Sequence, residues 1–344
     1  MNTPYHYIGL DIHKKTVTFC EKRADGFKVD SGTFSARRHG LEDWARSRRS
    51  PWVGGMEATL FTGFTYDVLA PYSIHIHVGH PLQLKAISWA KHKSDHVDAK
   101  TLSDLLRADL FPSCHMPSPL VRELRQILRY RNFLVRQAVR MKTKTTGLLM
   151  SAGVEYDGTR VHRQGYFHEL LDNLGEVPPS VRELLRTTRE GMEMFQGAQQ
   201  RILKALKQHD HLRERMALLM SIPGVGEMTA LTWMLEIDEP SRFSNIKKVQ
   251  SYCGLCSGQN ESAGKNKRAP LSKQRNSHLQ HILIEAAKLA PRWNSQLKET
   301  HSHALEELGY NKNRATLAVA RKLVCYLMAV DKSKKPFTLQ ADAF

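Results

Sequence analysis

Tyr7-Ile8-Gly9-Leu10-Asp11-Ile12-His13-Lys14 is the stretch on which the reading of the fold turns. Its apolar run is too short for a helix and closes on a carboxylate, which is how a buried strand reads when it ends at a sheet edge. Working outward, Thr16–Glu21 and Lys28–Ser35 alternate polar and apolar residues around a turn at Ala24-Asp25-Gly26, giving a β-meander. Two further apolar runs, Trp52–Met56 and Ile74–Val78, are separated by the helical patterns of Leu41–Arg48 and Phe61–Leu69. Strands in a row followed by strand–helix–strand alternation predict an α/β sheet with a leading meander. A helix over Ser94–Leu106, stopped by Phe111-Pro112, completes a first domain at 1–113.

The chain has 344 residues, with Lys+Arg 51 against Asp+Glu 34, a formal charge of +17. Such an excess points to a polyanionic partner rather than a small metabolite. At 41% hydrophobic residues the chain has enough apolar material for a core. The most apolar stretch, Ala315–Val330, is interrupted by Arg321 and Lys322, so no membrane partner is expected. The opening Met1–Lys15 carries no basic leader with an apolar core, which predicts a protein that stays where it is made. Five scattered cysteines read as reduced thiols.

Beyond Pro117 the pattern becomes helical. Leu120, Leu124, Ile127, Arg131, Leu134, Ala138, Met141, Thr145 and Leu148 recur at alternating steps of four and three, which is coiled-coil spacing. Cys114–Met150 carries eight Arg/Lys and one acid, Glu123, so Arg122, Arg125, Arg129, Arg136 and Arg140 are candidates for nucleic-acid phosphates. A second long helix is predicted from Ser180 to about Met220, with Met192, Phe195, Ile202, Leu206 and Leu212 apolar. It is the natural partner of the first, within the chain or across a dimer, and the two make a helical coiled-coil region at 114–220. A third, helical domain occupies 221–332, ahead of a basic flexible tail at 333–344.

Three constellations could carry chemistry. Asp11 and Glu57 end apolar strands, and Asp95 and Asp98 share a face at a helix start. In an RNase H-like fold these four converge at one sheet edge, where they could hold two divalent ions for phosphodiester chemistry. Solvated surface acids, with Ser94 or Asp95 capping the helix, account for the same residues. Ile222-Pro223-Gly224-Val225-Gly226 opens a helix and could present Gly224 and Gly226 N–H groups to a phosphate, like a helix-hairpin-helix turn, or be a plain tight turn. The polar loop Ser257–Lys273 offers Lys265, Lys267, Arg268 and Lys273 to a backbone and a serine as a nucleophile. An ordinary basic loop reads the same way. Cys253-x-x-Cys256 with His278 and His281 lacks zinc-site spacing, and His75, His77 and His80 alternate as a sheet face does.

Taken in order, these pieces resemble the insertion-sequence-110 group of DEDD transposases, regarded as bridge-RNA-guided recombinases. Tyr7–Lys14, Gly55–Thr59 (GMEAT) and Lys93–Lys100 (KSDHVDAK) resemble that family's RuvC-like domain. Ile222–Thr229 (IPGVGEMT), Tyr252–Leu255 (YCGL), Glu261–Lys265 (ESAGK), Leu271–Asn276 (LSKQRN) and Ala318–Leu323 (AVARKL) resemble its C-terminal transposase domain. The resemblance implies an α/β RuvC-like domain, a helical coiled-coil middle and a helical transposase domain. It implies an Asp11, Glu57, Asp95, Asp98 tetrad holding Mg²⁺, two ions with Mn²⁺ as a substitute, and a nucleophile at Ser262 that forms a phosphoserine link to DNA. Ser257 and Ser272 are the other serines of that region. Implied partners are DNA, a guide RNA and further copies of the chain, with the acidic site of one copy meeting the transposase domain of another. The implied setting is the prokaryotic cytoplasm, with the nucleoid. Ala263, Ser257, Ala269-Pro270 and Arg275 depart from the family's usual residues around the serine. Two rivals share these features: a RuvC-like endonuclease using activated water, and a silent nucleic-acid-binding scaffold.

Overall fold

A computed structural model describes residues 5–87, 94–262, 265–307 and 309–338, with the side chains of 259–269 outside the description. It resolves into two compact units, 1–122 and 123–344.

The first unit is built on β1 (His6–Ile12), whose alternation sends Ile8, Leu10 and Ile12 into the core beside Leu41 and Trp44. The meander follows as β2 (Thr16–Lys22) and β3 (Lys28–Ser35), each antiparallel to its predecessor. After α1 (Arg38–Arg46), β4 (Trp52–Glu57) returns parallel to β1. Then α2 (Thr62–Leu69) leads to β5 (His75–Gly79), parallel to β4. α3 (Pro81–Ile87), α4 (Asp95–Arg107) and a two-residue β6 (Ser113–Cys114) complete a sheet ordered β3-β2-β1-β4-β5-β6. The α/β sheet with a leading meander is thus present, and α3 and β6 are additions to the expected elements. Parallel β1 and β4 end at the same edge, and that places functional groups there.

Glycine sets the spacing between helix and sheet. A Cβ on Gly9 would lie 2.0 Å from the Ala99 carbonyl oxygen and 2.6 Å from the Ser103 nitrogen, so α4 rests on the bare backbone of β1. Lys22, which pairs with Tyr7 across the sheet, holds the far end of α4 through a 2.6 Å bond to Asp104.

The second unit is helical: α5 (Pro119–Ser151, entering it at Glu123), α6 (Gln164–Asp172), α7 (Pro179–Lys207), α8 (Asp210–Met220), α9 (Glu227–Ile237), α10 (Ile246–Tyr252), α11 (Ser277–Leu289), α12 (Ser295–Glu307) and α13 (Lys312–Ser333). Its main core gathers Trp233, Leu235, Leu283, Leu323, Leu327 and their neighbours. The second long helix expected to Met220 is two helices, broken at Gln208-His209, where Asp210 in the first turn suits a new helix start. α5 and α7 run side by side: the Thr145 hydroxyl donates to Thr188 at 3.0 Å, and Met141 lies against Gly191. Of the spacing expected for α5, Leu124, Leu134, Ala138 and Thr145 are buried, and Leu128 and Leu149 are buried beside them. Leu124 and Leu128 join the main core, while Leu149 joins Val161, Phe167 and Leu185, and Leu120 is exposed. Ser257–Lys273, expected as a loop, is mostly a hairpin of β7 (Ser257–Ser262) and β8 (Lys265–Leu271), with Ser262 opposite Lys265.

Candidate metal centre and nucleic-acid interface

On β1, the face that carries Gly9 toward α4 also carries Asp11 two residues on. Asp98 directly precedes Ala99 and Asp95 lies one turn back along α4, so the contact at Gly9 brings both acids toward Asp11. Ser94 caps that helix, its hydroxyl accepting from the Val97 N–H at 3.3 Å. Asp11, His13 and Asp95 form the one group of three metal-ligating side chains among the described residues, their donor atoms all within 4.8 Å of one another. His13 Nε2 lies 3.1 Å from Asp11 Oδ2 and 3.4 Å from Asp95 Oδ1. Burial pushes the Asp11 carboxyl above the ordinary range, and the charges of Asp95 and Asp98 push it the same way against the opposing pull of His13.

Glu57 stands at the same edge by register. Leu10 pairs with Met56, so the next residues, Asp11 and Glu57, leave neighbouring parallel strands together. The Glu57 carbonyl accepts the Thr62 hydroxyl at 3.3 Å, and its side chain is exposed. Asp98 is half-buried in the first turn of α4. Asp11 and Asp95 are therefore in one tight group, with Asp98 near enough to shift Asp11, and Glu57 beside them at the strand end.

His13 was absent from the expected set. Its signal was its spacing, since residues i and i+2 of extended backbone share a face.

In the second unit, the motifs Tyr252–Leu255, Leu271–Asn276 and Ala318–Leu323 meet at the base of the hairpin. Arg321 Nε donates to the Leu255 carbonyl at 2.8 Å, Gln280 to the Gly254 carbonyl at 2.6 Å, and the Asn276 N–H to the Tyr252 carbonyl at 2.9 Å. Gly254 has a φ of +73°, and a Cβ there would meet Arg275 at 2.6 Å. Ser257 and Lys273 are exposed at this base, and the Ser272 hydroxyl accepts the Gln274 N–H at 3.1 Å. The side chains of Ser262, Lys265, Lys267 and Arg268 lie outside the described residues.

Beneath the hairpin sits Glu236, fully buried, another residue missing from the expectations. Arg129 meets it with two 2.7 Å bonds and Asn276 donates at 2.8 Å, while Arg125 donates to the Leu235 carbonyl at 2.7 Å. Burial drives the Glu236 carboxyl up, but the bonds and charge of Arg129, with Asn276 and Arg125, outweigh it and hold the group below the usual carboxylate range.

The basic residues of α5 divide accordingly. Arg122 pairs with Asp67 and donates to the Pro117 carbonyl at 2.7 Å. Arg125 and Arg129 serve the Glu236 network, and Arg136 and Arg140 stand exposed. Gly224 adopts a φ of +95° with Ala290 where its Cβ would be, so it packs α8–α9 against the end of α11, whereas Gly226 opens onto free space. Cys253 is buried, which pushes its thiol up. Cys20 is likewise buried.

Comparison with known proteins gives the family. Residues 8–153 match a transposase model of the DEDD type from the IS110 group, and residues 216–302 match the model described as "Transposase IS116/IS110/IS902 family". The pilin gene-inverting protein of Moraxella bovis is 22% identical over 342 residues, covering 96% of this chain and 97% of that protein. The transposase for insertion sequence element IS1328 of Yersinia enterocolitica is 22% identical over 249 residues, 66% of this chain and 73% of the relative. A transposase-named protein of Sinorhizobium fredii is 22% identical over 247 residues, and the chain spans 60% of its length.

A mixed sheet with acids at its parallel edge, followed by a helical region, is consistent with the DEDD transposase class that the match over residues 8–153 gives. Within that class the donor set of β1 and α4, carboxylates with one imidazole, suits a divalent metal ion. The chain belongs to the IS110/IS116/IS902 transposase family, whose activity class is DNA recombination at a mobile element and whose partner is DNA. Among the described residues no helix is long and apolar enough to cross a membrane.

Proposed function

We propose that this chain is a Mg²⁺-dependent transposase that cuts and rejoins the DNA of its own element through a covalent phosphoserine link. The observation carrying this reading is the convergence of Asp11, Asp95 and Asp98, with Glu57 one strand over, at a single sheet edge. Four carboxylates there are suited to two Mg²⁺ ions, or Mn²⁺, which supply neutralisation of phosphate charge when bound. The chain's own groups do the rest. Ser262 Oγ attacks phosphorus, its proton passes to solvent or a base, and the P–O bond to the departing deoxyribose oxygen breaks. Attack by a hydroxyl of the incoming strand reverses the exchange and frees the serine. Lys265, Lys267, Arg268 and Lys273 hold the backbone during these steps, and Gly226 offers its N–H to a phosphate.

The acids and Ser262 lie in different units, and in this proposal they serve one reaction, carried out by an oligomer of the chain. Residues 1–113 supply the metal-binding part, 114–220 the helical grip on nucleic acid, and 221–332 the nucleophile, with 333–344 a basic tail. The exposed Arg136 and Arg140 on a helix with eight cations support a guide RNA held by its phosphates as the second nucleic-acid partner.

Trapping tests the proposal. The full chain, incubated with element-end DNA and Mg²⁺ and then boiled in detergent, is expected to yield a DNA–peptide adduct whose mass maps to Ser262. Ser262→Ala and Asp11→Ala are each expected to lose the adduct and strand exchange while binding DNA nearly as before. Cleavage with no adduct would replace the serine with activated water, and binding with no cleavage would leave only a scaffold.

A further inference from the structure

We propose that His13 is a direct ligand of the metal centre and that its nitrogen turns the selectivity of the site toward Mn²⁺ over Mg²⁺. The inference rests on the metal-dependent reading above and adds a residue that the four-carboxylate set does not contain.

The geometry supports it in two ways. First, a single ring atom, Nε2, faces carboxylate oxygens from two different elements, Asp11 on β1 and Asp95 on α4. Whatever its tautomer or charge, the ring has at most one hydrogen at that atom and satisfies at most one of the two oxygens well. A cation between them satisfies all three. Second, an octahedral ion with donors at about 2.0–2.1 Å separates adjacent donors by roughly 3 Å. The His13 separations, 3.1 Å and 3.4 Å, match adjacent corners of such a polyhedron. The ring is half-exposed, so an ion and its waters reach it from solvent.

Donor chemistry then sets the preference. Mg²⁺ favours oxygen ligands and parts with water reluctantly, whereas imidazole suits transition metals. With Nε2 bound to the metal, the ring carries its proton on Nδ1. One N-donor among carboxylates keeps Mg²⁺ usable at cellular concentration while raising affinity for Mn²⁺.

Mn²⁺ alone is the probe, added to the full-length protein without DNA. Electron spin-echo spectroscopy of the bound ion is expected to show modulation from a directly coordinated nitrogen. That signal should vanish in His13→Gln while Mn²⁺ still binds, and thermal unfolding without metal should match wild type. Mn²⁺ should bind His13→Gln more weakly, by roughly 10–100-fold on the scale of ligand-shell losses, while Mg²⁺ affinity changes less, so Mg²⁺ displaces Mn²⁺ more easily than in wild type. Bound Mn²⁺ with no nitrogen signal, or a signal surviving in His13→Gln, overturns the role of His13 and leaves the carboxylate centre standing. Absence of any Mn²⁺ binding that Asp11→Asn abolishes overturns both the inference and the metal-dependent reading.

Discussion

Replacing Gly9 with alanine puts a methyl group into the seat of α4. The new Cβ would stand 2.0 Å from the Ala99 carbonyl oxygen, 2.6 Å from the Ser103 nitrogen and 2.9 Å from the Leu102 Cβ. Two of the three obstacles are backbone atoms of a helix, so no side chain can turn aside to make room. Ordinary carbon–oxygen contact needs about 3.2–3.5 Å, which requires α4 to retreat from β1 by more than about 1 Å. Overpacking of this kind costs about 1–3 kcal/mol, occasionally more. The consequence for the site is sharper than the loss of stability. Metal ligands tolerate roughly 0.2 Å of misplacement, and the same retreat carries Asp95 and Asp98 away from Asp11 and His13. Gly9→Ala is therefore expected to unfold at lower temperature and to bind Mn²⁺ at least tenfold more weakly, read by calorimetry with Gly147→Ala as a control. Wild-type metal affinity in a folded Gly9→Ala protein would refute the claim that helix-to-strand contact sets the site.

Other outcomes follow from the same geometry. Gly147 is exposed inside α5, and a Cβ there meets nothing within 4 Å, so Gly147→Ala should stabilise the fold by about 0.5–1 kcal/mol in denaturant titration. Glu236→Ala takes the carboxylate from the largely buried Arg125 and the part-exposed Arg129 and should cost up to about 3–5 kcal/mol in the same assay. Because the folded-state pKa of Glu236 is depressed, its contribution is present above the unfolded pKa and is lost as pH falls through the folded one. Acid unfolding monitored by circular dichroism should accordingly begin less sharply in Glu236→Gln than in wild type. Arg136→Gln with Arg140→Gln should lower the slope of log affinity against log salt by about 0.7–0.9 for each phosphate no longer neutralised, and an unchanged slope excludes both from the interface.

Much of the first unit was legible because its core obeys simple periodicity. Ile8, Leu10 and Ile12 alternate, and the acids sit where strands and a helix begin or end. What strand patterning does not reveal is the depth of contact at Gly9, or that His13, just past β1, folds back onto two carboxylates. The hairpin β7–β8 was unreadable because both strands are polar and lack an apolar alternation, and what the structure shows of its support is the base anchored by Arg321. α5 was legible in part. The repeat takes in the buried Leu124, Leu134, Ala138 and Thr145, but the helix answers to different cores at its two ends, so the repeat also takes in the exposed Leu120 and passes over Leu128 and Leu149. Glu236 was visible in principle: a lone acid in the run Thr229–Ile237, otherwise apolar but for threonine, must be paired when buried.

Anomalous diffraction from crystals of the full chain soaked in Mn²⁺ tests the centre of this account most directly. A peak is expected within bonding distance, about 2.0–2.5 Å, of carboxylate oxygens from Asp11 and Asp95, with Asp98 and Glu57 as the surrounding acids. A well-ordered sheet edge with no peak there, or Mn²⁺ held elsewhere in the chain, would contradict it.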